Sequence, residues 1–218
     1  LSQALGLLLR TLPFILLRCA VYFGMALLPM TVWLVASMLG GIFTAQDFEF
    51  STITEYRLAP TPLWQILGAR LLRLLLVGLL AAGLLLVAVG LASGAWPDSI
   101  GLVILILVPV GLCGAGLGIC AGLLLRRTIP CLVVGLTSTF LIWLLGGAFG
   151  LPAGFGGGYE LLSRFTPTTY ALELLFRRYY GAEIGSPALG VAALVLSSAA
   201  LVALAAWLYR RRVLAQET

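Results

Sequence analysis

The chain has 218 residues, of which 61% are hydrophobic and only 10% charged, and its mean hydropathy is +1.12. Its net charge of +5 comes from arginine alone, since the sequence holds no lysine and no histidine. These figures exclude a soluble globular domain, a histidine-based catalytic or metal centre, and a G-x-x-x-x-G-K-[ST] nucleotide loop, which requires a lysine.

Several uncharged stretches reach the ~20 residues that a helix needs to cross ~30 Å of hydrocarbon. The expected fold is an all-α polytopic membrane protein of about six transmembrane helices, one domain over residues 1–218. The apolar runs are continuous rather than alternating, which excludes a β-barrel. The chain opens on Leu1 without a signal-peptide pattern, so its N-terminus is expected to be truncated. Its first 45 residues allow two readings. One has helices at 4–26 and 29–45; the other has an interfacial segment up to Arg18 followed by one long helix. The two-helix reading needs a turn at Leu27-Leu28-Pro29-Met30 with no polar residue to satisfy its backbone, which suggests that an extramembrane segment is missing near 26–30.

A polar, amphipathic island follows at 46–70, with Asp47, Glu49, Glu55 and Arg57 close together. Four clear spans come next, at 71–92, 100–125, 129–149 and 188–209. A short interfacial turn containing Trp96-Pro97-Asp98 separates the first two, and Arg126-Arg127 makes a tight basic turn before the third. Gly111, Gly114 and Gly118 recur at helical spacing and predict close helix packing. Cys19, Cys113, Cys120 and Cys131 have no metal-ligand spacing, so they are expected to be packing residues and no metal site is expected.

A second unusual region, 150–187, precedes the last span. Leu172, Leu175, Phe176 and Tyr179 fall at i, i+3, i+4, i+7 and make an amphipathic helix, and Pro167 divides the region into two short pieces. It is expected to lie in or dip into the outer interface. If 46–70 is cytosolic, eight arginines (57, 70, 73, 126, 127, 210, 211, 212) share its side, against Arg164, Arg177 and Arg178 opposite. The positive-inside rule therefore predicts a cytosolic island, a cytosolic C-terminus and a multi-pass protein of the cell (inner or plasma) membrane. Arginines at the ends of apolar runs anchor helices and do not point to nucleic acid.

Asp47-Phe-Glu49-Phe-Ser-Thr52-Ile-Thr-Glu55, followed by Leu58-Ala-Pro60 and residues 63–72, resembles the stretch after the second membrane helix in permeases of the ABC-2 type. There an acidic E-x-G-T-like run starts the coupling helix that sits on the ATPase. Residues 150–180, with Leu151-Pro152 and Thr166-Pro167-Thr-Thr-Tyr170, resemble the external re-entrant pair before their last helix. The similarity runs from Gln46 to the C-terminus, with Ser51 where the family often has glycine and Arg70 one place later than the usual basic residue.

The resemblance implies a transmembrane subunit of an ATP-driven exporter. It would work as a homo- or heterodimer of permease protomers with cytosolic ABC ATPase subunits, which would bind the ATP and Mg, so no cofactor is expected in this chain. Asp47, Glu49, Thr52, Glu55 and Arg57 would couple to the ATPase, with Phe48, Phe50, Ile53 and Leu58 packing against the helix ends. Leu151, Pro152, Pro167 and Tyr170 would belong to the external segment. A translocation path between protomers would be lined by 29–45 and 129–149, where Thr31, Ser37, Thr137 and Ser138 are the scarce polar groups. Thr137 and its neighbours could equally satisfy their own helix backbone. Apolar walls predict an apolar or amphipathic cargo, such as a lipid, drug or lipid-linked molecule. The competing readings are a secondary transporter and a permease-like subunit that transmits ATPase motion without moving solute. An intramembrane enzyme would need titratable groups at membrane depth that the clear spans lack.

Overall fold

The computed structural model describes residues 2–52, 62–94, 96–97, 99–146, 157–180 and 186–214. Every element among them is helical: α1 Ser2–Glu49, α2 Leu63–Ser93, α3 Ile100–Leu125, α4 Thr128–Leu145, α5 Gly157–Ser163, α6 Pro167–Tyr180 and α7 Pro187–Tyr209, the last continuing into a π-helical turn, Arg210–Leu214. Five spans among the described residues are long and apolar enough to cross a membrane: Val21–Glu49, Trp64–Ser93, Ile100–Leu125, Thr128–Leu145 and Pro187–Arg212.

The two-helix reading of the first 45 residues is where the structure differs from the sequence expectation. Residues 4–26 and 29–45 are not two helices but parts of one, unbroken through Pro29. Proline removes one backbone N–H, yet a helix gripped by its neighbours tolerates that loss. Here Met25, Ala26, Leu28, Val32 and Trp33 are all buried around the proline, and the Thr31 hydroxyl donates to the Leu27 carbonyl at 2.8 Å. α1 passes through Leu27-Leu28-Pro29-Met30 without a turn.

The polar island is also shorter than the sequence pattern indicates. α1 runs on to Glu49 and α2 begins at Leu63, so both ends of 46–70 belong to long helices. Ser51 follows α1 with φ +60°, a left-handed conformation that glycine adopts most readily. The serine therefore stands where glycine would fit best, at the point where the chain leaves α1.

Glycine sets the central contact of the bundle. A Cβ on Gly118 would run into the Ser37 carbonyl oxygen, one on Gly114 would lie 2.9 Å from the Trp33 oxygen, and one on Gly122 would lie 2.5 Å from Thr44 Cβ. The i, i+4, i+8 stripe of α3 thus presses its backbone onto α1, as the glycine spacing predicted. The opposite side of α3 meets α7, where a Cβ on Gly116 would approach the Leu201 backbone at 2.9 Å. α2 and α4 flank α1, and Cys113, Cys120 and Cys131 are buried as free thiols among these packed faces.

The surface is as apolar as the core. Leu80, Leu105, Ile129 and Leu196 are each at least 66% exposed on four different helices. In water such a surface would aggregate; facing lipid tails, it has no such cost.

Candidate functional site

The polar chemistry of the described chain gathers at one end of the bundle, where α1, α3 and α7 finish and α2 and α4 begin. The Glu49 carboxylate, on the last residue of α1, accepts from the Thr128 backbone N–H at 2.8 Å and from its hydroxyl at 2.7 Å. It thereby satisfies first-turn donors of α4 and sits where the helix dipole favours an anion. Asp47, two residues earlier, forms an ion pair with Arg70 of α2. Both side chains are largely buried, at 14% and 12% exposure. Arg70 also donates to the Thr44 hydroxyl at 3.3 Å and stands 5.9 Å from the ring centroid of Tyr209, at the end of α7.

Stacked cations extend this network. Arg126 lies 5.0 Å from the centre of the Phe48 ring, and Arg73 lies 4.5 Å from that of Phe43. Arg126 is the left-handed residue that closes α3, with φ +54°, and its N–H donates to the Gly122 carbonyl. A single end of α1 is therefore fastened to α2, α3 and α4, and Arg70 carries the contact on to α7.

Beside the Asp47–Arg70 pair, a cleft of about 430 Å³ opens between α1 and α2, lined in part by Gln46, Phe50, Thr52, Arg70 and Arg73. Thr52 is half-buried at its edge. Phe50 is 73% exposed and does not pack against the helix ends, which corrects that expectation, whereas Phe48 does pack, beneath Arg126. Ile53, Glu55, Arg57 and Leu58, and with them the amphipathic coupling helix, lie outside the described residues.

The opposite end carries α5 and α6. Thr166 precedes α6, directly before Pro167, and its carbonyl accepts from the Thr169 N–H at 3.2 Å. Its hydroxyl and that of Thr169 both donate to the Ser163 carbonyl at 2.7 Å, and the Thr166 N–H reaches the same oxygen at 3.0 Å. The Tyr170 hydroxyl donates to the Arg164 carbonyl at 2.9 Å. The Thr-Pro-Thr-Thr-Tyr motif is thus a hydrogen-bonded turn, with proline at the first helical position where its missing N–H is no loss. Ala171, Leu172, Leu175 and Phe176 are buried, as the amphipathic pattern required, and Phe176 stacks on Tyr22 of α1 at 4.7 Å. Tyr159 and Thr168 tie the pair to the Leu144 and Ile142 carbonyls of α4. Leu151 and Pro152 lie outside the described residues.

Within this protomer the four polar residues assigned to a path are not brought together. Ser37 is buried in the seam against Gly118, while Thr137 is exposed on the outer face of α4 beside Val133 and Phe140. Thr31, Ser37, Thr137 and Ser138 each donate to a carbonyl three or four residues back, the local use of such hydroxyls that the sequence left open. Between α1, α4 and α6 the free space is about 10 Å³, room for one water at most.

Sequence reasoning missed the two contacts that organise the arginine-rich end. Glu49 to Thr128 spans 79 residues and Asp47 to Arg70 spans 23; the second could have been sought as opposite charges facing each other across a helical hairpin.

No curated protein and no solved structure matches the chain. Residues 17–207 match the family profile described as ABC-2 family transporter protein. The chain belongs to that family, whose members are transmembrane permease components of ABC transporters.

Proposed function

We propose that this chain is the permease subunit of an ATP-driven exporter. It would work as a dimer on two cytosolic ABC ATPase subunits, which bind ATP and Mg, and would move an apolar or amphipathic cargo. The observation that carries this reading is the fastening of α1 to α2 and α4 at its arginine-rich end, through Asp47–Arg70 and Glu49–Thr128. A force applied to the chain just after Ser51 would reach three membrane-spanning helices at once, the rigid-body coupling that alternating access requires. In this reading Asp47 and Glu49 hold the segment to the bundle, and Thr52, Glu55 and Arg57 meet the ATPase.

The arginine-rich end is the cytosolic one by the positive-inside rule, which makes the C-terminus cytosolic and puts α5 and α6 outside. The cargo path lies between protomers, because the space inside this one between α1, α4 and α6 admits a single water. An apolar or amphipathic cargo follows from the outward face of α4, where Val133, Leu136, Phe140 and Leu141 surround one hydroxyl, Thr137.

The test is co-purification from native membranes. A stoichiometric P-loop ATPase should accompany the wild type and be lost from a Glu55→Arg, Arg57→Glu variant that keeps its own fold and dimer. Retention of the ATPase by that variant would remove the coupling role from this segment, and absence of any ATPase from the intact wild type would overturn the exporter reading.

A further inference from the structure

The two faces of α3 are packed very differently along their length. α3 and α7 touch backbone to backbone at Gly116 and Leu201, and on the arginine-poor side of that contact a space is left between them. The wedge between them is a groove of about 350 Å³, walled by Leu105, Pro109 and Leu112 of α3 and by Val195 and Ser198 of α7, and closed at its far end by Leu174 of α6. Ser198 brings the groove a hydroxyl, and that hydroxyl already donates to the Val195 carbonyl at 2.9 Å.

We infer that this groove is a binding site for one acyl chain of a phospholipid from the leaflet at the arginine-poor end. Its level in the bundle fixes the medium it meets. Leu105 and Leu112 lie roughly 8 and 18 Å along α3 from Ile100, and both helices are membrane-spanning at this depth. The mouth therefore opens on hydrocarbon, where an apolar notch fills with chain. Its shape selects against a second copy of this protein, because a helix is about 10 Å wide with its side chains and the notch is enclosed by three helices. Its lining selects against a charged ligand.

Lipid tails solvate every apolar helix equally well, so the site's preference for a chain comes from contact on three sides rather than one. Photolabelling the protein in its membrane with a phospholipid that carries a diazirine mid-chain, followed by peptide mapping, tests this. The outward face of α4, which has no such groove, reports annular lipid in the same sample. Labelling of 105–112 and 191–198 should exceed that of 129–144 by about fivefold, the ratio that ~1 kcal/mol of better packing gives. Val195→Trp should fill the groove and bring the two regions level while leaving α4 labelling unchanged; Leu105→Trp serves as the second filling variant, and both side chains are exposed, so neither substitution strains the core. Equal labelling in the wild type, excess labelling that neither tryptophan reduces, or a groove left unlabelled because protein covers it would each overturn the site.

Discussion

The two ends of the bundle use polar side chains in opposite ways. At the arginine-rich end they reach across the chain, so that Glu49, Asp47 and Arg70 connect helices far apart in sequence. At the other end the bonds of Thr166, Thr169 and Tyr170 are local, to carbonyls three to six residues away, while Tyr159 and Thr168 reach α4. Local bonds stiffen a turn and leave neighbouring helices free to slide, whereas bonds between helices make them move as one. In the proposed reading the first end passes a displacement on, and the second holds a cap in shape over the bundle.

The contrast depends on a common axis, the α1–α3 seam, and breaking that should have the largest effect. Gly118→Leu forces a side chain into the Ser37 backbone and should destabilise both ends by about 3 kcal/mol. Gly83→Leu, where an added Cβ meets nothing within 4 Å, should be neutral. Unfolding by denaturing detergent compares the two. If they behave alike, the seam is not what holds the ends together.

Asp47→Ala separates the ends more selectively. It strands an Arg70 guanidinium that is 12% exposed, and the expected loss is about 2 kcal/mol, mostly the cost of an unpaired buried charge. Removing both partners in Asp47→Ala, Arg70→Met should recover more than half of it. A double variant no more stable than the single would mean that Arg70 is satisfied by Thr44 and Tyr209 alone. Hydrogen exchange should quicken at the adjoining ends of α1 and α2 and stay unchanged in α6.

How much of this was legible in the sequence follows from the range of each interaction. Spans and turns were legible because apolar length and Arg126-Arg127 are local signals, and the Gly114/Gly118 spacing gave away the seam because helix packing repeats every turn. The buried face of α6 was legible from Leu172, Leu175 and Phe176 for the same reason. Pro29 misled: proline signals a break in water, and only burial by α2, α3 and α6 lets α1 run through it. The contact of Glu49 is not legible, because nothing near it in sequence explains an acid there. The helix start it caps lies 79 residues on.

At the far end, Thr166→Val and Thr169→Val should each cost about 1 kcal/mol, the usual loss of a buried hydroxyl bond. The effect should stay in the α5–α6 turn, read as faster exchange of the amides that follow Pro167. Spread of that effect to α2 or α7 would contradict the local character of this end.

The smallest and most discriminating change is Glu49→Gln. The amide keeps one carbonyl oxygen for Thr128 but loses the charge and the second acceptor, and it brings an NH2 group against a backbone N–H and a hydroxyl that both need to donate. Global stability should barely move, because the residue is exposed. The first-turn amides of α4 should nevertheless exchange faster, while those of α5 and α6 hold their rate. Thr128→Val, which keeps the backbone bond and loses only the hydroxyl, should do less. A Glu49→Gln protein whose α4 start is as protected as the wild type's would mean that α4 is held by packing on α1 alone, through Met38 against Gly135 and Gly41 against Cys131. Then α1 would carry α4 along its whole length, and the arginine-rich end would lose its special claim to join the two.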